Sequence, residues 1–210
     1  MNRKKILLIV LGSLLLFSIA LFVVVANEMV VEKEDKLDLM IFHFMKGYLS
    51  PFVVTTFTLL TFFGSTLFLV SCYLDLSVVL FLFKKRKEAL SVVIAGIVSF
   101  ILLEGLRLIF KRLRPEMPVL TGADNYSFPS GHAFYSFVFY SAIALLIWKA
   151  GWSRKWKIIF SIGLSLFVLL IGLSRIVLRY HFASDVVAGF SLGLACLSLY
   201  LIWTVIVKKS

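Results

Sequence analysis

Charge is scarce in this 210-residue chain: 16% of its residues are charged against 61% that are hydrophobic. That balance, with a mean hydropathy of +1.02, excludes an ordinary soluble globule. Cysteine is scarcer still, at two residues. Cys72 and Cys196 both lie inside apolar runs without metal-ligand spacing, so they read as small core-filling side chains and carry no message about redox compartment. No internal repeat, low-complexity tract or linker interrupts the chain, and one helical domain over 1–210 is expected. Acidic residues are half as common as basic ones, 11 against 22, for a net charge of +11. A nucleic-acid partner does not follow from that charge, because the basic residues are scattered over short segments between apolar blocks and are not gathered on a soluble face.

What the chain has instead is apolar blocks of about 20 residues, the length of a helix that crosses a roughly 30 Å hydrocarbon layer. The first, 6–26, follows Arg3, Lys4 and Lys5, which should keep its start on the cytoplasmic side. A cleaved signal peptide competes with this reading, since Val24 and Ala26 resemble a cleavage site; the run exceeds a usual signal core, so retention is expected. Residues 37–48 place Leu37, Ile41, Phe44 or Met45, and Tyr48 on one stripe among Lys36, Asp38, His43 and Lys46, which predicts a short interfacial helix on the outer surface. The basic run "KKRK" at 84–87 belongs inside, so one span is expected at 59–83, with 50–58 as a re-entrant segment. Further spans are expected at 89–110, 133–148, 158–173 and 186–207, the last running into Lys208 and Lys209. The predicted fold is all-α: six transmembrane helices in a bundle plus the outer interfacial helix, with both termini cytoplasmic in a multi-pass cell-membrane protein.

Six basic residues break the positive-inside pattern: Arg107, Lys111, Arg112 and Arg114 in one place, Arg175 and Arg179 in another. Both places fall on the outer side. In "EGLRLIFKRLRPEMP" (104–118), Glu104 and Arg107 sit at membrane depth, where a charge costs about 2.5–3.5 kcal/mol and is expected to face a cavity or a partner; an ion pair between them is the structural alternative. Pro115 ends that helix. In "NYSFPSGHAF" (125–134), Pro129, Ser130 and Gly131 lead into a helix whose first N–H groups lack intrahelical partners and attract anions. Taken alone, Ser130 would be a helix cap and His132 an interfacial polar residue. In "SRIVLRYHFASD" (174–185), His181 and Asp185 are four apart, so the carboxylate can hold one imidazole nitrogen protonated and leave the other as nucleophile or base. Three such clusters on one side of a six-span protein are hard to dismiss as structural.

These residues resemble the type 2 phosphatidic acid phosphatase superfamily of membrane lipid phosphatases. Ser174-Arg175, five residues, His181, three residues and Asp185 match its third signature; Pro129-Ser130-Gly131-His132 match its second. Arg114-Pro115 match the end of its first, with Arg107 where the family has lysine. The resemblance covers about residues 60–200. It implies that Arg107, Arg114 and Arg175, with Ser130 and the Gly131 N–H, grip the phosphoryl oxygens. It further implies that His181 attacks phosphorus, that Asp185 orients the ring, and that His132 protonates the leaving oxygen and later activates water.

No metal and no other cofactor are expected. His132, His181 and Asp185 could be read as a two-histidine, one-carboxylate metal site, but neighbouring arginines would repel a divalent cation. The expected partners are the bilayer and a phosphorylated lipid: phosphatidylglycerophosphate, phosphatidic acid or undecaprenyl pyrophosphate, reached from the outer leaflet. An anion or lipid transporter and a catalytically silent lipid-binding member are the competing classes. Of the remaining polar residues, His43 reads as interfacial and Asp75 as either paired with another helix or facing water. Glu116 and Asp124 read as solvated loop charges, and Arg179 and Tyr180 as candidates for headgroup contact.

Overall fold

The computed structural model describes residues 2–28, 36–115 and 126–207. Glu116, Asp124 and the Lys208, Lys209 tail lie outside the described residues. Within them the chain forms α1 (Arg3–Ala26), α2 (Lys36–Lys46), α3 (Pro51–Phe62), α4 (Thr66–Leu82), α5 (Arg86–Phe110), α6 (Gly131–Lys149), α7 (Arg154–Val177) and α8 (Ala183–Val207). Six units are long and apolar enough to cross a membrane, the second being α3 and α4 taken together as Pro51–Leu82.

Local chemistry sets several of the boundaries. The Asn2 side chain accepts from the Lys4 N–H at the start of α1. Ser50 accepts from Val53, with Pro51 in the first turn of α3, where the missing N–H of proline costs nothing. Lys111 closes α5 in the left-handed region at φ 48°. Along the lipid side, leucines and phenylalanines such as Leu16, Leu67 and Phe81 stand exposed. Acyl chains are as apolar as those side chains, so helix association here rests on close packing and polar ties more than on the hydrophobic effect.

The antiparallel order puts the ends of α1, α5 and α7 and the starts of α3, α6 and α8 together. Helix α1 lies along α8, α6 packs on α7 and α8, α4 on α5, and α3 on α7. Leu69, Leu103, Phe134, Tyr135, Phe139, Tyr140, Val168 and Ile171 form the buried core between α4, α5, α6 and α7. At the site end, Phe22 of α1 packs against Phe110 and Phe128, with centroids 6.1 and 5.7 Å away, and closes that flank.

Two expectations need correction. The span expected at 59–83 is not continuous: α3 runs through the expected re-entrant segment to Phe62, and the helix breaks at Phe63–Ser65. Ser65 restarts it by accepting from the Phe68 N–H, and the Tyr140 hydroxyl donates to the Phe63 carbonyl at 3.1 Å, which satisfies a group that lipid could not. Helix α7 continues past the expected end at 173 to Val177, carrying Ser174 and Arg175 in its last turn. Helix α2 forms as expected, with Leu37, Phe44 and Tyr48 of the stripe exposed and Asp38 and Phe42 turned inward. His43 and Asp75 are both exposed.

Candidate active site

Where α7 ends, the chain turns through Leu178–Phe182 before α8. The N–H groups of Tyr180 and His181 both donate to the Arg175 carbonyl, at 3.0 and 3.2 Å, and Arg179 takes φ 55°, a conformation uncommon for a residue with a Cβ. This turn drives the His181 ring inward until 1% of the residue remains exposed. Its Nδ1 lies 3.4 Å from Asp185 Oδ2, out of line for a hydrogen bond. Its Nε2 lies 3.3 Å from Arg114 Nη1.

Burial, and next the charges of Arg175, Arg114 and Arg107, hold His181 well below the ordinary histidine range. The imidazole is therefore neutral near pH 7 and keeps a lone pair. Arg114, beyond the end of α5, is likewise pulled below the usual guanidinium range by burial and then by Arg107. Cations crowded out of water at one place form a site for an anion.

The three cations come from different elements and are held separately. Arg114 Nη1 donates to the Tyr180 carbonyl at 2.7 Å. Arg175 is 6% exposed; its Nη1 donates to Thr61 Oγ1 at 2.7 Å, and its Cζ lies 4.2 Å from the Tyr180 ring centroid. Arg107 Nη1 pairs with Glu104 Oε1 at 2.8 Å, so the intrahelical ion pair exists, and the same oxygen accepts from Tyr135. The other edge of that guanidinium lies over Gly131, where an added Cβ would sit 2.7 Å from Nη2. Among the described residues, Nε of both Arg107 and Arg175 is buried with no hydrogen-bond partner.

Helix α6 begins beside these groups. Its N-cap Ser130 accepts from Ala133 and donates its N–H to the Asp185 carbonyl at 3.0 Å, which ties the start of α6 to the start of α8. That N–H is thereby engaged, and the first turn of α6 remains as the source of free donors. His132 stands in this turn, and its Cδ2 is 3.1 Å from where a Cβ on Gly64 would lie. The break between α3 and α4 thus forms one wall of the site. Ser174 is buried and bonds back to Ile171 within α7.

Asp185 is held from two sides: Oδ1 accepts from Arg112 Nη1 at 2.7 Å and Oδ2 from the Phe182 N–H at 2.9 Å. Among the described residues, no three histidine, cysteine, aspartate or glutamate side chains gather closely enough to hold a metal ion. Arg179 points away from the cluster, toward Phe42 of α2.

Sequence reasoning thus brings His132, His181, Asp185, Arg107, Arg114, Arg175, Ser130 and Gly131 to one end of the bundle, and misses Arg112, Asp38, Thr61 and Gly64. Arg112 had a signal, since it breaks the inside rule. Asp38 had one too, as an acid on the face of α2 that also carries Phe42. Thr61 and Gly64 had none, being ordinary residues within an apolar stretch.

Comparison with known proteins agrees at three levels. The sequence profile of the PAP2 superfamily matches residues 87–209. Phosphatidylglycerophosphatase B of Bacillus subtilis (strain 168) is 30% identical over 146 residues, 69% of this chain and 71% of that protein. The crystal structure of a transmembrane PAP2-type phosphatidylglycerolphosphate phosphatase from Bacillus subtilis superposes with a TM-score of 0.82 at 27% identity, covering 95% of this chain and 97% of that one. LpxE of Aquifex aeolicus superposes with a TM-score of 0.60 at 26% identity, over 78% and 95% of the two chains.

Proposed function

The chain belongs to the PAP2 superfamily and is a membrane lipid phosphatase, and from that premise we propose a reaction carried by His181, His132 and the three arginines. A lipid phosphate binds between Arg107, Arg114 and Arg175 with the first N–H groups of α6, all donors to the equatorial oxygens. His181 Nε2 attacks phosphorus. As the N–P bond forms, the P–O bond to the lipid breaks, and the departing oxygen takes a proton from His132. A water then attacks the phosphohistidine, gives its proton to His132, and the N–P electron pair returns to His181. The products are the lipid alcohol and inorganic phosphate; from a pyrophosphate the first product is the lipid monophosphate. Asp185 faces Nδ1 and stabilises the positive ring of the intermediate.

The observation that carries this reading is a buried imidazole with its Nε2 3.3 Å from a guanidinium, beside two further arginines that retain unpartnered donors. A histidine serving only the fold would gain nothing from cations that disfavour its own protonation.

The site belongs to the outer face of the membrane in this reading. Arg3, Lys4, Lys5, the 84–87 run, Lys149, Arg154, Lys155 and Lys157 mark the opposite end of the bundle as cytoplasmic, along with both termini. A headgroup can then reach the arginines while its tail stays in hydrocarbon, and tail binding offsets part of the entropy lost on binding. Phosphatidylglycerophosphate is the first candidate, by kinship with the Bacillus relative; phosphatidic acid and undecaprenyl pyrophosphate present the same phosphate chemistry.

Purified protein assayed against those three lipids tests the proposal. Phosphate release with at least one, unchanged by EDTA and reduced at least about a thousandfold in His181→Gln, is the expected result. Release at the parental rate from a folded His181→Gln variant, or release lost in EDTA and restored by a divalent ion, overturns it.

A further inference from the structure

Asp38 belongs to α2, a helix no signature reaches, yet 1% of it is exposed. Its Oδ1 accepts from the Ser184 N–H at 3.0 Å, and its Oδ2 from the Ser184 hydroxyl at 2.5 Å and from Arg112 Nη2 at 3.1 Å. A carboxylate so far out of water persists only when its partners are fixed. Arg112 is fixed: its Nη1 reaches Asp185 Oδ1 and Ser184 Oγ, both at 2.7 Å, and its Cζ sits 4.1 Å from the Phe182 ring centroid. Phe182 in turn packs on Phe42 of α2 at 5.6 Å. The outer helix is therefore joined to the turn carrying His181 by a polar tie and an apolar one, one helical turn apart.

We infer that Asp38 is a positioning residue for the nucleophile, acting through Arg112 on Asp185. The inference rests on the reading of His181 given above. One guanidinium lies between two carboxylates, each taking one edge of its fork, so the trio keeps a net negative charge. That excess falls on the side of Asp185 that faces His181 Nδ1, where positive charge develops as the N–P bond forms. Without the Asp38 charge, Arg112 would neutralise Asp185 one for one and be free to swing both edges onto it, drawing Oδ2 away from the imidazole. The same geometry keeps Arg112 out of the phosphate-binding set. Loss of Asp38 should therefore lower kcat and leave KM near its parental value.

The experiment is a double-mutant cycle on phosphate release from phosphatidic acid in detergent micelles, with folding checked by gel filtration and thermal melting. Asp38→Asn should lower kcat about tenfold or more with KM within about threefold. In an Asp185→Asn background the same change should cost little further, because the residue through which it acts is already altered. Ser184→Ala, which loosens α2 without removing charge, should keep kcat within about threefold, and Asp38→Glu should recover part of the loss.

Full additivity of Asp38→Asn and Asp185→Asn, or a kcat loss in Ser184→Ala equal to that in Asp38→Asn, overturns the inference by reducing Asp38 to a docking contact. If Asp38→Asn does not fold, Arg112→Lys, which keeps one charge but cannot fork, goes through the same cycle, and additivity again overturns it. His181→Gln separates the two levels. A fully active His181→Gln removes the mechanism itself, whereas an inactive one beside a fully active Asp38→Asn removes only the role of Asp38.

Discussion

Both ends of the helix bundle carry cations, and only one end buries them. At the end formed by the starts of α5 and α7, Lys84, Lys85, Arg86 and Lys87 are all exposed, and Lys149 meets Glu88 at 3.4 Å with half of its side chain in the open. At the site end Arg107 and Arg175 are less than a tenth exposed, and the Arg112 side chain is 9% exposed between two buried carboxylates. An exposed charge in water orients the chain across the bilayer at little cost. A buried one must be matched by a partner or a ligand. Arg112 has its match in Asp38 and Asp185, and Arg107 half of one in Glu104. Arg175 meets a hydroxyl and a ring and no carboxylate among the described residues, and in the proposed reaction the substrate's phosphate supplies the missing charge.

The contrast is attacked most directly at Arg175. Arg175→Ala should lower kcat/KM about 10²- to 10³-fold, the cost of removing a preorganised donor to a transferring phosphoryl group, while the protein still folds. A loss under about fivefold in phosphate-release kinetics would mean that burial at this end does not mark binding. Arg107→Lys should have a smaller effect. Lysine keeps the charge at the position where the family has lysine, but a single ammonium cannot reach Glu104 and a phosphate with separate edges. A rise in KM of about three- to tenfold is expected, with kcat less affected. Glu104→Gln in the Arg107→Lys background should then change little, since the tie it tests is already weakened.

Much of the site end could be read from the chain, and for a definable reason. The signature residues carry side chains that are costly in lipid, so Arg107, Arg114, Arg175, His132, His181 and Asp185 stand out from an apolar background. The span ends were legible to within a few residues because lysine and arginine runs bracket them. What escaped is what has no cost of its own in lipid. Thr61 and Gly64 look like ordinary membrane-helix residues; Thr61 matters through its hydroxyl at Arg175, and Gly64 through a break that lets backbone approach His132. The inward contact of α2 escaped for a related reason. Leu37, Phe44 and Tyr48 make a convincing stripe and stand exposed as an interfacial helix allows, but Asp38 and Phe42, which dock inward, lie off it, and Phe42 carried no separate signal of its own.

Acidification distinguishes the two ends next, with a smaller effect. His181 is held below the ordinary histidine value in the folded protein, so between about pH 6.5 and that lower value the unfolded chain binds the extra proton. Folding stability therefore falls as pH drops through about 6.5, and the contribution is fully present above it. Between pH 7.5 and 5.5 the parent should lose about 1 kcal/mol more stability than His181→Gln, read as the difference in thermal unfolding in detergent. Equal losses would mean that the ring is protonated in the folded state and that the cations around it do not govern its charge.

The smallest effect belongs to the end away from the site. Lys149 and Glu88 form a salt bridge between α6 and α5, and in a drawing it resembles the Arg112 pairs at the other end. The Lys149 side chain is 52% exposed and that of Glu88 27%, so water and salt screen the pair, and holding a long flexible side chain costs entropy. A double-mutant cycle on Lys149→Ala and Glu88→Ala should give a coupling of about 0.5 kcal/mol or less, shrinking further in 0.5 M salt, with phosphate release unchanged. The corresponding cycle on Arg112→Ala and Asp38→Ala should give several times that coupling, insensitive to salt, because both partners lie where ions do not reach. A coupling of equal size at the two ends would remove the distinction between charges that orient the chain and charges that build its site.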